Sequence, residues 1–143
     1  MKDSLAFHIS ILRKCFTRYC TEELARMGVT YGQIFVLIYL GKYESCAPKE
    51  LAHALDMDPG YLNRTIAKLS ENGFLKRRKN EKDRRANVLT LTPKGRAVYD
   101  KSHQLFYQWD DLAFSSLTPQ EKETLLALLD KASQGALKIF PKL

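Results

Sequence analysis

Residues 58–73 read DPGYLNRTIAKLSENG, and four of their side chains carry groups that suit a polyanion: the phenol of Tyr61, the amide of Asn63, the guanidinium of Arg64 and the ammonium of Lys68. At about 100° per residue, Leu62, Ile66 and Leu69 fall on one stripe, Tyr61, Arg64 and Lys68 cluster on the opposite side, and Asn63 lies on the flank. Groups of these kinds reach phosphate oxygens and base edges in a DNA major groove. Pro59 and Gly60 keep the N-terminal end of the stretch slim, and helix N-termini attract phosphate. A second cationic run follows at Lys76, Arg77, Arg78, Lys79, Lys82, Arg84 and Arg85. On a strand only about half of such residues can face one way, so these side chains divide between phosphate contacts and solvent. A charged helix face on its own is most often a solvated face. The neighbouring elements decide between the two meanings.

Those elements can be placed from the residue pattern. Leu5, Ile9, Leu12, Phe16, Tyr19 and Leu24 recur at helical spacing over residues 3–27, and Gly28 suits the helix end. Thr30 caps a helix over residues 31–41, where Ile34, Phe35, Leu37, Ile38 and Leu40 almost fill the circumference. Such a helix is buried on most sides. Pro48 opens a short helix with Leu51, Ala52 and Leu55 as its apolar face. Asp58 as N-cap and Pro59 in the first turn start the next, which runs to residue 72 and stops at Gly73. Two short helices joined this tightly have the form of a helix-turn-helix. GFLKRRKN and ANVLTLT are then two short strands, with the charged tip EKDRR between them as a hairpin loop. Thr92 and Pro93 start a helix over residues 93–114. Thr118 and Glu121 make a capping box for the last helix, whose apolar side is Leu125, Leu126, Leu128 and Leu129. The order α-α-α-α-β-β-α-α is that of a winged helix-turn-helix: a mainly α chain with a small β-hairpin wing (α+β).

Composition narrows the function. A length of 143 residues predicts one domain, and 45% apolar residues fit a globular chain. The longest apolar run, IFVLIYL, is far too short to span a bilayer. MKDSLAFHIS makes a poor signal peptide, so cytoplasm is the expected compartment and no membrane partner is expected. Cys15, Cys20 and Cys46 cannot all pair within one chain, and none sits in a CxxC; free thiols are expected. The net charge of +7 is unevenly spread: residues 48–96 hold 12 basic and 6 acidic residues, the remainder 11 and 10. A basic excess concentrated in this way points to a polyanion partner.

Residues 48–95, PKELAHALDMDPGYLNRTIAKLSENGFLKRRKNEKDRRANVLTLTPKG, resemble the MarR family of bacterial and archaeal regulators. KDRRA is similar to that family's Asp-x-Arg-Ala/Ser wing signature, with Asp83 and Arg85 at its Asp and Arg; GVTYGQIFVLIYL resembles its second helix and LTPQEKETLLALL its last. The resemblance implies a homodimer, with residues 1–29 and 96–143 as dimerisation helices and residues 30–95 as the winged helix. It implies that the fourth helix enters the major groove and the wing the adjacent minor groove of double-stranded DNA, at a pseudo-palindromic operator. It implies a repressor released by a small aromatic or anionic effector, or by an oxidant. The chemistry of the tip agrees: a guanidinium is favoured in a narrow, strongly negative minor groove, and Asp83 can hold Arg85 by a charge-assisted hydrogen bond and orient it before DNA arrives. The DNA-contacting set is thus Pro59, Gly60, Tyr61, Asn63, Arg64, Lys68, Lys76, Lys82, Arg84 and Arg85. In the family, effector pockets lie between the dimer helices and the winged helix; His8, Tyr31, Phe35, Tyr99 and His103 are candidates by element.

Other readings have less behind them. CFTRY, residues 15–19, is similar to the Cys-Phe-x-x-Tyr of the family's peroxide-sensing branch, but Cys15 lies only sixteen residues before Tyr31. In that branch the interval is longer by roughly two and a half helical turns, so the register disagrees. Cys15 and Cys20 also stand about 140° apart on a helix. His8, His53 and His103 lack metal-ligand spacing, and no cofactor is expected. No nucleophile elbow, phosphate loop or paired-carboxylate motif supports catalysis. A winged helix that binds only protein is the remaining alternative, and the concentrated charge argues against it.

Overall fold

The computed structural model describes residues 2–83 and 87–141. Arg84 and Arg85, two of the expected contact residues, lie outside the described residues. Six helices and three short strands follow in the order α1 (Leu5–Arg26), α2 (Tyr31–Tyr43), β1 (Ser45–Cys46), α3 (Pro48–Ala54), α4 (Pro59–Glu71), β2 (Leu75–Lys79), β3 (Asn87–Leu91), α5 (Pro93–Ala113) and α6 (Pro119–Ile139). The chain divides into two compact units, Met1–Tyr107 and Gln108–Leu143, with α5 running from the first into the second.

Local side chains set the helix starts. Thr30 accepts a hydrogen bond from Gln33 N (3.2 Å) while Thr30 N donates to Gln33 Oε1 (3.0 Å). Thr118 and Glu121 make the same reciprocal pair at 3.2 and 2.8 Å. Each box satisfies two backbone donors that a helix start leaves unpaired. In the first unit α2 is central: Ile34, Val36, Leu37, Leu40 and Gly41 are all buried. Leu24 of α1, Leu51 of α3, Leu62, Ile66 and Leu69 of α4, and Phe74, Leu75 and Leu89 of the wing close around it. At about 1.5–3 kcal/mol for each fully buried large apolar side chain, this shared core is what fixes α4 against α2 and the sheet.

The expected two-stranded hairpin is part of a three-stranded antiparallel sheet in the order β1-β3-β2. The added strand has two residues, Ser45 opposite Thr90 and Cys46 opposite Leu89. Cys46 turns into the core and Ser45 outward. So short a strand has no alternation to betray it in sequence, and its partner lies more than forty residues away.

In the second unit no residue of α6 is buried within the single chain. Leu125, Leu126, Leu128, Ile139 and Phe140 are exposed there, as are Leu5, Ile9 and Leu12 on α1 of the first unit.

Candidate nucleic-acid interface

α4 is built as its sequence suggests. Asp58 Oδ2 accepts from Tyr61 N at 2.9 Å, capping the first turn, and Pro59 follows without an N–H to leave unpaired. Leu62, Ile66 and Leu69 are at most 1% exposed. Buried Thr65 keeps its hydroxyl satisfied by donating to Tyr61 O at 3.0 Å. Pro59, Gly60, Tyr61, Asn63, Arg64 and Lys68 are all exposed. The Arg64 guanidinium lies back over the first turn, with Nη1 only 3.6 Å from where a Cβ on Gly60 would stand. Lys68 reaches Glu71 only at 4.0 Å, with both side chains well exposed, and so loose a surface pair leaves the ammonium available to another anion. Tyr61 is held differently from its neighbours. Its hydroxyl rests against Gly32 in the first turn of α2.

The far end of α4 is tied to the start of α5. Lys94 Nζ donates to Asn72 O at 2.8 Å and stands 4.3 Å above the Phe74 ring. Thr92 N donates to Phe74 O at 3.1 Å, and the Thr92 hydroxyl donates to Gly73 O. Gly95 lies so close that a Cβ there would come within 1.9 Å of Phe74 O. Gly73 itself turns the chain with φ of +78°, a conformation favoured by the lack of a Cβ. These contacts tie the corner between α4 and β2 to the start of α5. The sequence signal was TPKG, legible as a helix start but not as a clamp on the preceding corner.

In the wing, register sorts the cations. Lys76 pairs with Thr90 and Arg78 with Val88, so Lys76, Arg78, Val88, Thr90 and Ser45 share one face. Leu75, Leu89 and Cys46 point the other way, into the core. At the tip, Asn80 Oδ1 accepts from Lys82 N at 3.0 Å, an Asx-turn that starts the loop. A hollow of about 360 Å³ opens here, walled by Ser45, Val88, Arg78, Lys79 and Lys82 with Glu81 beside them. Lys82 and Asp83 are exposed. The pairing expected between Asp83 and Arg85 lies outside the described residues. Two cationic surfaces, one on α4 and one on the wing, thus belong to a single winged helix.

Comparisons with known proteins agree with this architecture. A family model described as "MarR family" matches residues 29–86. The chain is 43% identical over 131 residues to the HTH-type transcriptional regulator BilQ of Clostridium symbiosum (strain WAL-14163), covering 92% of this chain and 91% of that protein. The chain belongs to the MarR family. Its fold superposes on the crystal structure of the reduced form of MarR from E. coli with a TM-score of 0.81 at 32% identity, over 90% of this chain and 96% of that one. A mutant MarR from E. coli complexed with operator DNA matches with a TM-score of 0.68 at 28% identity, over 90% and 92%. This MarR-family protein is therefore a winged helix-turn-helix transcriptional regulator, which places it outside the enzyme classes.

The MarR-family chain also carries a small apolar cavity of about 160 Å³, lined by Phe16, Cys20 and Leu24 of α1, Tyr31, Ile34 and Phe35 of α2, and Leu105 and Phe106 of α5. Tyr31 and Phe35, two of the five residues singled out for an effector, meet here edge to face at 5.2 Å. The other three do not line it. His8 is exposed and bonded to Lys2 O at 2.9 Å. Tyr99 packs so close to Gly41 that a Cβ there would overlap its ring, and Arg96 lies over the ring at 5.3 Å while its Nη1 donates to Gly41 O at 3.1 Å. His103 meets Tyr99 edge to face at 4.7 Å. Tyr99 and His103 thus belong to the joint between α5 and the end of α2. Cys20 of the cavity wall and Cys46 of β1 are buried, and burial pushes both thiols up to about 11, with Glu50 adding to the rise at Cys46. Cys15 is exposed. Among the described residues no group of three or more His, Cys, Asp or Glu could hold a metal ion, and no single helix is long and apolar enough to cross a membrane.

Proposed function

We propose that this protein binds a pseudo-palindromic DNA operator as a homodimer, represses transcription, and is released by a small aromatic or anionic effector. The observation that carries the reading is the exposed face of α4: Asn63, Arg64 and Lys68 are exposed over a fully buried stripe of Leu62, Ile66 and Leu69. Pro59 and Gly60 present the helix N-terminus, and Lys76 and Lys82 extend the cationic surface along the wing. In this reading α4 enters the major groove, where each base pair has its own donor and acceptor pattern. Arg85, oriented by Asp83, enters the adjacent minor groove, and Arg84 meets phosphate. The operator complex of the E. coli relative supports the same class of partner.

The homodimer is supported by the apolar side chains left exposed on α1 and α6; patches of this kind mark association surfaces. Residues 1–29 and 96–143 would supply it, and residues 30–95 would form the winged helix. For the effector, the cavity beside Tyr31 and Phe35 favours an aromatic body over a bare anion, because its lining is almost wholly apolar. An oxidant trigger has less support, since the thiolate is the reactive form and both buried thiols hold their protons. The test is a selection of randomised duplex DNA on the purified protein, followed by titration of small aromatic acids into the selected complex. Enrichment of an inverted repeat and release by an aromatic compound are expected. Absence of any enriched sequence would remove the reading.

A further inference from the structure

Gly32 is the second residue of α2. Its backbone is ordinary helix, since the positive-φ glycines are Gly28 and Gly73, so conformational freedom does not explain it. By helix propensity alone alanine would serve better. What stands beside it is the side chain of Tyr61, from the first turn of α4. A Cβ on Gly32 would lie 2.6 Å from the Tyr61 hydroxyl oxygen and 3.9 Å from Cζ. The first distance is an overlap and the second an ordinary contact. The missing methyl is therefore a seat for one atom, the Tyr61 oxygen.

We propose that Gly32 is a positioning residue for DNA recognition: by seating the Tyr61 hydroxyl against α2, it keeps the tyrosine ring off the reading face of α4. This rests on the DNA-binding reading above. Tyr61 and Arg64 are three residues apart and so are neighbours on one side of the helix. Leu62, Thr65 and Ile66 are buried beneath and block inward movement. Tyr61 is 45% exposed, so a ring pushed from its seat turns to the solvent side, onto the face where the Arg64 guanidinium lies back over the first turn. Rotating a half-exposed side chain costs the fold little. The cost falls on the contacts that Arg64 makes with a base edge.

The experiment compares Gly32→Ala, Tyr61→Phe and the double variant in the full-length chain, by thermal melting and by affinity for the selected operator. Gly32→Ala should melt at or above the wild-type temperature yet bind the operator about tenfold more weakly, the size of one lost base contact, with weakened preference at the bases nearest Arg64. Removing the oxygen from the crowded pair should undo this: the double variant should bind like Tyr61→Phe alone. Operator affinity unchanged by Gly32→Ala overturns the proposal. So does a double variant as weak as Gly32→Ala, which would place the defect in α2 itself. If wild type selects no operator, the DNA-binding reading fails and this proposal with it; if wild type binds and Gly32→Ala binds equally, only the proposal fails.

Discussion

Gly95→Ala should be costly although it adds a single methyl group. The new Cβ would stand 1.9 Å from Phe74 O, 3.0 Å from the carbonyl carbon and 3.2 Å from Leu91 Cδ2. Comfortable contact begins near 3.4 Å, so the start of α5 must retreat from the α4–β2 corner by about 1.5 Å. The obstacle is backbone, which cannot swing aside as a side chain can. Overpacking of this kind costs about 1–3 kcal/mol. The retreat also breaks the bond from Thr92 N to Phe74 O and strains that from Lys94 Nζ to Asn72 O, at about 1 kcal/mol each. A total of about 3–5 kcal/mol lowers the melting temperature of a chain this long by roughly 10–15 °C. Operator affinity should fall as well, because this corner joins α4 to β2 of the wing. Gly73→Ala is the matched control: nothing lies within 4 Å of its added Cβ, and only the positive φ opposes it, for about 1–2 kcal/mol. Both are read by thermal melting of the purified chain. Gly95→Ala melting within 2 °C of wild type, or below Gly73→Ala in cost, would refute the reasoning.

The chain should sediment as a dimer at micromolar concentration, and Leu125→Glu with Leu128→Glu should shift it to monomer; a wild-type monomer would contradict the role given to α1 and α6. Cys15 should react rapidly with a thiol reagent near neutral pH while Cys20 and Cys46 react only on unfolding, and Cys15→Ser should leave operator release by peroxide unchanged from a wild type that shows none. Because burial raises both buried thiols from 9.0 to about 11, the folded chain holds those protons more tightly than the unfolded one. The resulting stability is present below pH 9 and lost as pH rises towards 11, so Cys46→Ala should lose less of its melting temperature across that window than wild type does. Lys76→Ala or Lys82→Ala should each lower the salt dependence of operator binding by about one unit of log–log slope per site, and an unchanged slope would place that lysine away from phosphate.

Much of this fold was legible because its signals are local. Asp58, Pro59 and Gly73 bracket α4 in sequence as in space, and the apolar stripe of Leu62, Ile66 and Leu69 is the buried one. Thr118 and Glu121 form the box that their spacing suggests. Where the reading fell short, a second element decides. β1 exists only because β3 lies alongside it, and two residues cannot announce a strand. A helical wheel puts Tyr61 with Arg64 and Lys68, yet its hydroxyl turns to Gly32, a neighbour the wheel does not contain. Tyr99 and His103 share an element with the cavity wall but stand where α5 closely approaches α2 at Gly41, and the cavity beside Tyr31 and Phe35 is completed by Phe16, Cys20, Leu105 and Phe106. Glycines at 32, 41 and 95 were the available signals. Each marks a close approach, but sequence does not say what approaches.

The central claim is that α4 reads bases while the wing anchors the complex. The direct measurement is a binding selection on randomised duplex DNA with wild type, Arg64→Ala and Arg85→Ala in parallel. Wild type should enrich an inverted repeat. Arg64→Ala should lose preference at specific positions within each half-site, by about 1–3 kcal/mol for each bidentate contact removed. Arg85→Ala should keep the half-site preference and bind more weakly, with discrimination flattened only at flanking A·T-rich positions. Half-site preference unchanged by Arg64→Ala but altered by Arg85→Ala would contradict the account and exchange the roles of reader and anchor.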